Sequence, residues 1–279
     1  MATDPGSTRS AERAGPIASA GAASAAAQPP HIALAHIEKV YGSEHGAVTA
    51  LQDINLSVGR SEFISIIGPS GSGKSTLLMI VAGLVGATAG SVVIADRPVA
   101  APVTDVGIVF QQDLLFDWRT VLGNVLLPAE IRGLDKAAAR TKAMTLLARV
   151  GLEGFEHRRP WELSGGMRQR AALCRALLHD ASILLLDEPF GALDALTRDQ
   201  MNLDLQELWL TDRPTAILVT HSISEAVFLS DRVIVLSARP GRIATEVRID
   251  LARPRSIDVR DSAAFVAYQH ALRLAIGHP

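Results

Sequence analysis

A chain of 279 residues, 48% apolar, 20% charged and 4% aromatic, can bury a sizeable core and has a globular composition, which excludes a disordered or fibrous protein. Its formal net charge of −2 supplies no basic field for a nucleic-acid partner. Cys174 is the only cysteine, which excludes an internal disulfide and a cysteine metal cluster; among Ala171, Ala172 and Leu173 it is expected to be a small buried hydrophobe.

Residues 1–30 are a patternless run of Ala, Ser, Gly, Pro and Thr, expected to be a disordered tail because they cannot bury enough apolar surface to offset their ordering entropy. A signal peptide fits less well: Asp4, Arg9, Glu12 and Arg13 precede an alanine stretch without large apolar residues. Strand-like alternation runs over His31–Val40, ending at Tyr41-Gly42, and again over Leu51–Val58. After a turn at Gly59-Arg60-Ser61, the apolar run Phe63–Ile67 reads as a buried strand. It gives way to Gly68-Pro69-Ser70-Gly71-Ser72-Gly73-Lys74-Ser75-Thr76, with a helix restarting at Ser75. The apolar stretch Leu77–Ala87 is too short to cross a bilayer, so no membrane span is expected. Short strands over Gly90–Ala95 and Asp105–Phe110 complete a β-rich front region.

From about 113 to 162 the pattern turns helical, over Val121–Arg132 and Lys136–Val150, with breaks at Pro128, Gly133 and Gly151. This reads as a helical lobe inserted between two strand regions. Next come a helix (Gly165–His179), a strand (Ser182–Asp187), a helix (Ala195–Leu210), a strand (Thr215–Thr220), a helix (Ile223–Ser230) and a strand (Arg232–Ser237). Such alternation means βα units and a mainly parallel sheet. A last strand pair is expected over Arg242–Ile249 and a helix near Ser262–Ile276.

Gly68, Gly73, Lys74 and Ser75 fit G-x-x-x-x-G-K-[ST], and a strand before with a helix after is the context this motif requires. Glycines at 68, 71 and 73 let the backbone turn its N–H groups onto phosphate oxygens, and the following helix adds its positive end. Lys74 would reach the β- and γ-phosphates and Ser75 would hold Mg²⁺. A glycine-rich surface turn with a lysine at its tip would explain the glycines, but not the flanking elements or the hydroxyl after the lysine. The strand ending in Asp187-Glu188-Pro189 delivers two acids to the carboxyl edge of a parallel sheet, where ligands bind. Asp187 can complete the Mg²⁺ shell and Glu188 can polarise an attacking water; alone, the same pattern is an acidic turn after a core strand. Leu163-Ser164-Gly165-Gly166-Met167 opens another helix, with Ser164 either a plain N-cap or part of a second phosphate-binding helix end.

Taken in order, Gly68–Thr76, Gln111, Leu163–Met167, Ile183–Pro189, Ala192-Leu193-Asp194 and His221 resemble the ATP-binding subunit of an ABC transporter, over roughly residues 31–250. The resemblance implies an α/β P-loop NTPase core with a mainly parallel sheet, an N-terminal antiparallel β region, an inserted helical lobe and, over 251–279, a C-terminal helical extension. It implies a site for ATP and Mg²⁺ in which residues 68–76 (Gly68, Pro69, Ser70, Gly71, Ser72, Gly73, Lys74, Ser75 and Thr76) cradle the phosphates. Tyr41 is similar to the aromatic residue that stacks on adenine, Gln111 to the glutamine that touches Mg²⁺ or the water, and His221 to the histidine that holds the γ-phosphate. Ser164, Gly165 and Gly166 would meet the ATP of a partner subunit, and Asp194 would cross the dimer interface. The implied catalytic set is Lys74, Gln111, Glu188 and His221, with Ser75, Gln111 and Asp187 at the metal.

A finer resemblance, carried by 113–121, Met167, 190–198 and Ser237-Ala238-Arg239-Pro240-Gly241-Arg242, is to importers of nitrate, sulfonates and taurine. It implies a homodimer or paired ATPase on the cytoplasmic face of the inner membrane, transmembrane permease subunits and, indirectly, a solute-binding protein. Asp117 stands where a proline is usual and Ser222 where an aspartate commonly follows the histidine. Exporter motors share every core residue, and a soluble ABC ATPase is the remaining alternative, disfavoured by a single ATP module without a coiled-coil insertion.

Overall fold

The computed structural model describes residues 29–43, 46–191 and 193–277. Most of the tail assigned to residues 1–30, and Ala192, lie outside these described residues.

The chain opens with a long antiparallel hairpin, β1 (Ile32–Ser43) and β2 (Gly46–Val58), followed by β3 (Phe63–Ile67) and helix α1 (Lys74–Val81). Two strands, β4 (Ala89–Ile94) and the two-residue β5 (Arg97–Pro98), return to the hairpin, and β6 (Val106–Val109) leads to the lobe. The lobe holds α2 (Val121–Val125), α3 (Leu127–Arg132) and α4 (Lys136–Arg149). The remainder is α5 (Gly165–Leu177), β7 (Ile183–Asp187), α6 (Ala195–Asp212), β8 (Thr215–Val219), α7 (Ile223–Leu229), β9 (Arg232–Leu236), β10 (Ile243–Arg248) and α8 (Ala263–Ile276).

Two sheets result. One is four-stranded and antiparallel, ordered β2-β1-β4-β5; the other is six-stranded, ordered β10-β9-β3-β8-β7-β6. Within the second, β9-β3-β8-β7-β6 are parallel and only the edge strand β10 is antiparallel. The parallel strands are mostly apolar because both faces are covered. Phe63, Leu184, Leu186, Leu218 and Val235 face a core shared with the lobe and α5–α8, while Ile64, Leu185, Ile217 and Ile234 face a second core shared with α1 and the antiparallel sheet.

Residues 242–249, expected to be a strand pair, form the single strand β10, whose only ladder among the described residues is with β9. Its exposure alternates residue by residue, as for one edge strand, and Thr245-Glu246-Val247 offers no glycine or proline for a central turn. Val121–Arg132 splits into α2 and α3, with Pro128 in the first turn of α3, where its missing N–H costs nothing. No helix among the described residues is long and apolar enough to cross a membrane.

The segment after β10 is anchored in the body. Arg253 pairs with Asp231 at 2.9 Å and its guanidinium lies 4.7 Å over the Trp209 ring. Arg255, 3% exposed, donates to the carbonyls of Val227, Phe228 and Ser230 at the end of α7. Phe265 and Leu272 of α8 join the core of α5–α7.

Candidate active site

Strand β3 stops at Gly68, whose φ of +156° is hard for other residues; a Cβ there would lie 2.6 Å from the Leu236 carbonyl oxygen of β9. The chain then loops to Gly73, left-handed at φ +88° and packed so that a Cβ would sit 2.6 Å from Leu51 Cδ2. These two glycines pin the loop between β9 and β2. Lys74 begins α1 and its Nζ donates to the carbonyls of Gly68 and Pro69 at 3.0 and 3.1 Å, so the loop wraps its own lysine. Burial pushes the Lys74 ammonium below its ordinary pKa, against the opposing pull of Glu188 and Asp187.

Ser75 Oγ donates to Asp187 Oδ1 at 2.8 Å, which joins the phosphate loop to the end of β7. Burial raises the Asp187 pKa, an effect the Ser75 bond opposes, Glu188 reinforces and Lys74 opposes. Among the described residues no group of three or more His, Cys, Asp or Glu side chains is placed to hold a metal. A hydroxyl and a carboxylate in contact nonetheless fit Mg²⁺, which takes one or two protein oxygens and completes its shell with phosphate and water. Gln111 makes no hydrogen bond to either; its amide goes to Glu188.

Glu188 follows directly, with φ +45°, its N–H tied to the Val219 carbonyl of β8 at 2.8 Å. This left-handed turn carries the carboxylate off the strand axis to the loop edge. Its Oε2 receives two approaches, Gln111 Nε2 at 3.5 Å and His221 Nδ1 at 3.3 Å. Three residues read separately from sequence thus meet at one oxygen, at the loose distances common before a ligand draws such groups in.

A cleft of about 310 Å³ lies over the loop, lined by Tyr41, Gly71, Lys74, Ser75, Glu188 and Arg239 among others. Tyr41 stands at its mouth, its hydroxyl 3.5 Å from Thr76 Oγ1 and Lys39 Nζ 4.9 Å from its ring centroid. Ser70 and Thr76 line the same cleft, whereas Ser72 does not: its Oγ is buried and finds no partner among the described residues. Another cleft, about 400 Å³, opens at the amino edge of β7 and β8 beside His31 and Arg60 and contains no predicted site residue.

Ser164, Gly165 and Gly166 do not line the Lys74 cleft. Ser164 caps α5, accepting from Met167 N at 3.3 Å, and both it and Gly165 are exposed. Gly166 packs on the start of α6: a Cβ there would lie 3.1 Å from Thr197 Cγ2. Asp194 caps α6 through Thr197 N and Oγ1, bonds that hold its carboxyl below the usual carboxylate pKa. Ser222 caps α7 through Glu225 N at 3.2 Å, so the serine does the capping work of the expected aspartate.

Several residues that organise this site carry no motif. Gln169 of α5 donates to the Gln111 carbonyl at 2.9 Å, while Arg168 and Arg175 of the same helix hold the Asp113 side chain and backbone. Glu225, buried in α7, accepts from Thr220 Oγ1 at 2.7 Å and lies 3.4 Å from Arg198, which also donates to the carbonyls of Phe190 and Leu193. Burial raises the Glu225 pKa. The signal for it was an acid just before Ala226-Val227-Phe228-Leu229. Cys174 is buried as expected, which pushes its thiol pKa far up.

The family model described as ABC transporter matches residues 51–191. An uncharacterized ABC transporter ATP-binding protein of Methanocaldococcus jannaschii is 47% identical over 84% of this chain and 86% of its own. The taurine import ATP-binding protein TauB of Pseudomonas putida is 44% identical over 80% of this chain and 85% of its own. Among solved structures, the dimeric ATP-binding cassette MJ0796 bound to ADP and Pi superposes with a TM-score of 0.71, at 33% identity over 79% of this chain and all of that one. The chain, with its phosphate loop, paired acids and helical lobe, therefore belongs to the ABC transporter family and is one of its ATPases.

Proposed function

We propose that this chain is the ATP-hydrolysing subunit of an importer for a small solute of the nitrate, sulfonate or taurine type, working as a pair on the cytoplasmic face of the membrane. One observation carries the reading: the Ser164 helix end is exposed and separate from the Lys74 cleft, so one chain grips a triphosphate from one side only. A second copy supplies the other side. Each ATP then lies between one copy's phosphate loop and the other's Ser164–Gly166, with Asp194 beside the junction. The likeness to TauB supports import, and the lobe supports a permease partner: Trp118, Ile131 and Trp161 are 72, 75 and 65% exposed there. The solute-binding protein of such an importer would act through that permease.

Hydrolysis in this site is positioning and charge stabilisation. Tyr41 stacks on the adenine, the loop N–H groups and Lys74 hold the phosphate oxygens, and Ser75 with Asp187 would hold Mg²⁺. When bound, Mg²⁺ would neutralise negative charge on the phosphate chain. Glu188 takes the proton of the attacking water as its oxygen bonds to the γ-phosphorus and the bond to the β-phosphate oxygen breaks. Gln111 and His221, both at Glu188 Oε2, orient that carboxylate and the water. The test is Glu188→Gln with ATP and Mg²⁺. ATP binding should persist, the variant should elute as a dimer, and turnover should fall about 10²–10⁴-fold. Undiminished turnover, or a monomer at saturating ATP, would overturn the reading.

A further inference from the structure

The Ser237–Arg242 turn between β9 and β10 has no role in the mechanism so far. It lies beside the phosphate loop and is fixed to β2 through Gly241 and Arg242. Gly241 N donates to Ala50 O and Gln52 N donates to Gly241 O, both at 2.9 Å, which stitches the turn to β2. Arg242 reaches Gln52 Oε1 at 2.6 Å, and Ser237 Oγ closes the turn internally on Pro240 O at 3.1 Å. Such a turn holds its tip residue in one place.

That tip residue is Arg239. Its guanidinium faces the loop, with Nε 3.4 Å from Gly71 O, and it lines the same cleft as Tyr41 and Lys74. Unlike Arg232, Arg253 and Arg260, it has no carboxylate partner among the described residues. Lys74 is engaged by two loop carbonyls, whereas Arg239 has one long hydrogen bond and is itself exposed. A guanidinium offers a planar fork that suits phosphate oxygens and pairs with them bidentately.

We propose that Arg239 is a second cationic contact for the nucleotide's phosphate chain, delivered from its own subunit by the β9–β10 turn. The assignment rests on reading the cleft as the ATP site, and it makes the turn part of that site. Arg239 answers to the number of phosphates on the ligand and not to the base.

Equilibrium binding of ATP, ADP and adenosine to the full chain, at low and high salt, tests this. Wild-type protein that binds no ATP would sink the site reading itself, separately from Arg239. Given wild-type binding, Arg239→Ala should weaken ATP by about tenfold or more, ADP by less, and adenosine not at all, and its ATP affinity should depend less on salt. Arg239→Lys, which keeps charge but loses the fork, should fall between. Unchanged ATP affinity in Arg239→Ala would overturn the proposal. So would equal losses for ATP and adenosine, since the residue would then act through the loop's shape. An unchanged thermal midpoint shows that the variant is folded.

Discussion

Gly241→Ala is the sharpest test of how the phosphate loop is held, because it alters a residue that does not line the Lys74 cleft. The backbone at 241 is not left-handed, so alanine meets no conformational penalty and any effect is steric. A Cβ there would lie 2.0 Å from Ser72 O and 3.2 Å from Leu51 Cδ2, against 3.4 Å or more in ordinary contact. The Ser72 peptide must therefore retreat by about 1.4 Å or the turn must back away. The turn is bonded on both sides of Gly241 to β2, so the loop yields. Overpacking of this kind costs about 1–3 kcal/mol, equivalent to roughly 2–12 °C in thermal midpoint for a domain of this size. A displacement near 1 Å in a group that positions the reacting phosphate lowers kcat/KM by about 100-fold. Thermal unfolding and steady-state ATPase assays on the two proteins measure both. Gly86→Ala is the control, since nothing lies within 4 Å of a Cβ there, and it should match wild type within about 0.5 kcal/mol. A Gly241→Ala protein with wild-type midpoint and turnover would refute the wedge.

Ser72→Ala removes a buried hydroxyl that has no partner among the described residues, so stability should hold or rise by about 1 kcal/mol in chemical denaturation, with ATP affinity unchanged; a large loss of affinity would give Ser72 a phosphate role after all. For pH, burial raises Asp187 above its ordinary 3.8, so a proton competes with Mg²⁺ there. Affinity for Mg²⁺·ATP should therefore rise with pH through a midpoint above 3.8, while the stability of the nucleotide-free protein, favoured by the extra proton it binds, declines over the same window. Asp187→Asn should abolish the first effect, and a pH-independent wild type would contradict it.

Those parts of the fold that depend on neighbours in sequence were legible. Strand β3, the loop and α1 are contiguous, and each signals its own geometry through apolar run, glycines and lysine. Strands β7 and β8 announced burial on both faces by the unbroken apolar runs 183–186 and 216–219. The family resemblance supplied Gln111 and His221, which the structure brings to the same Glu188 oxygen. What stayed hidden depends on distant partners. Arg239 meets Gly71 across 168 residues and Arg198 meets Glu225 across a strand, pairings that local pattern does not encode. Asn124 sits within the helical pattern Val121–Arg132. In the fold it is fully buried and its amide accepts from Phe116 N and donates to the carbonyls of Phe116 and Thr120, folding the 116–120 loop around itself. Arg253 and Arg255 are likewise held by distant partners, Trp209 and the end of α7.

The clasp of Arg255 on α7 joins two ends of the molecule's working edge. Helix α7 has seven residues, a rod of about 10 Å, too short to bend appreciably. Its near end starts at Ser222, beside His221; its far end is gripped by Arg255, whose own backbone Gln206 holds from both sides at 2.8 Å. A pull on residues 251–256 is thus geared through one stiff lever to the histidine, and also through Arg253 and Asp231 to Phe63, the first residue of the strand that ends in the phosphate loop. Loosening of residues 251–256 would therefore be felt on both the water-orienting and the triphosphate-gripping sides of the site.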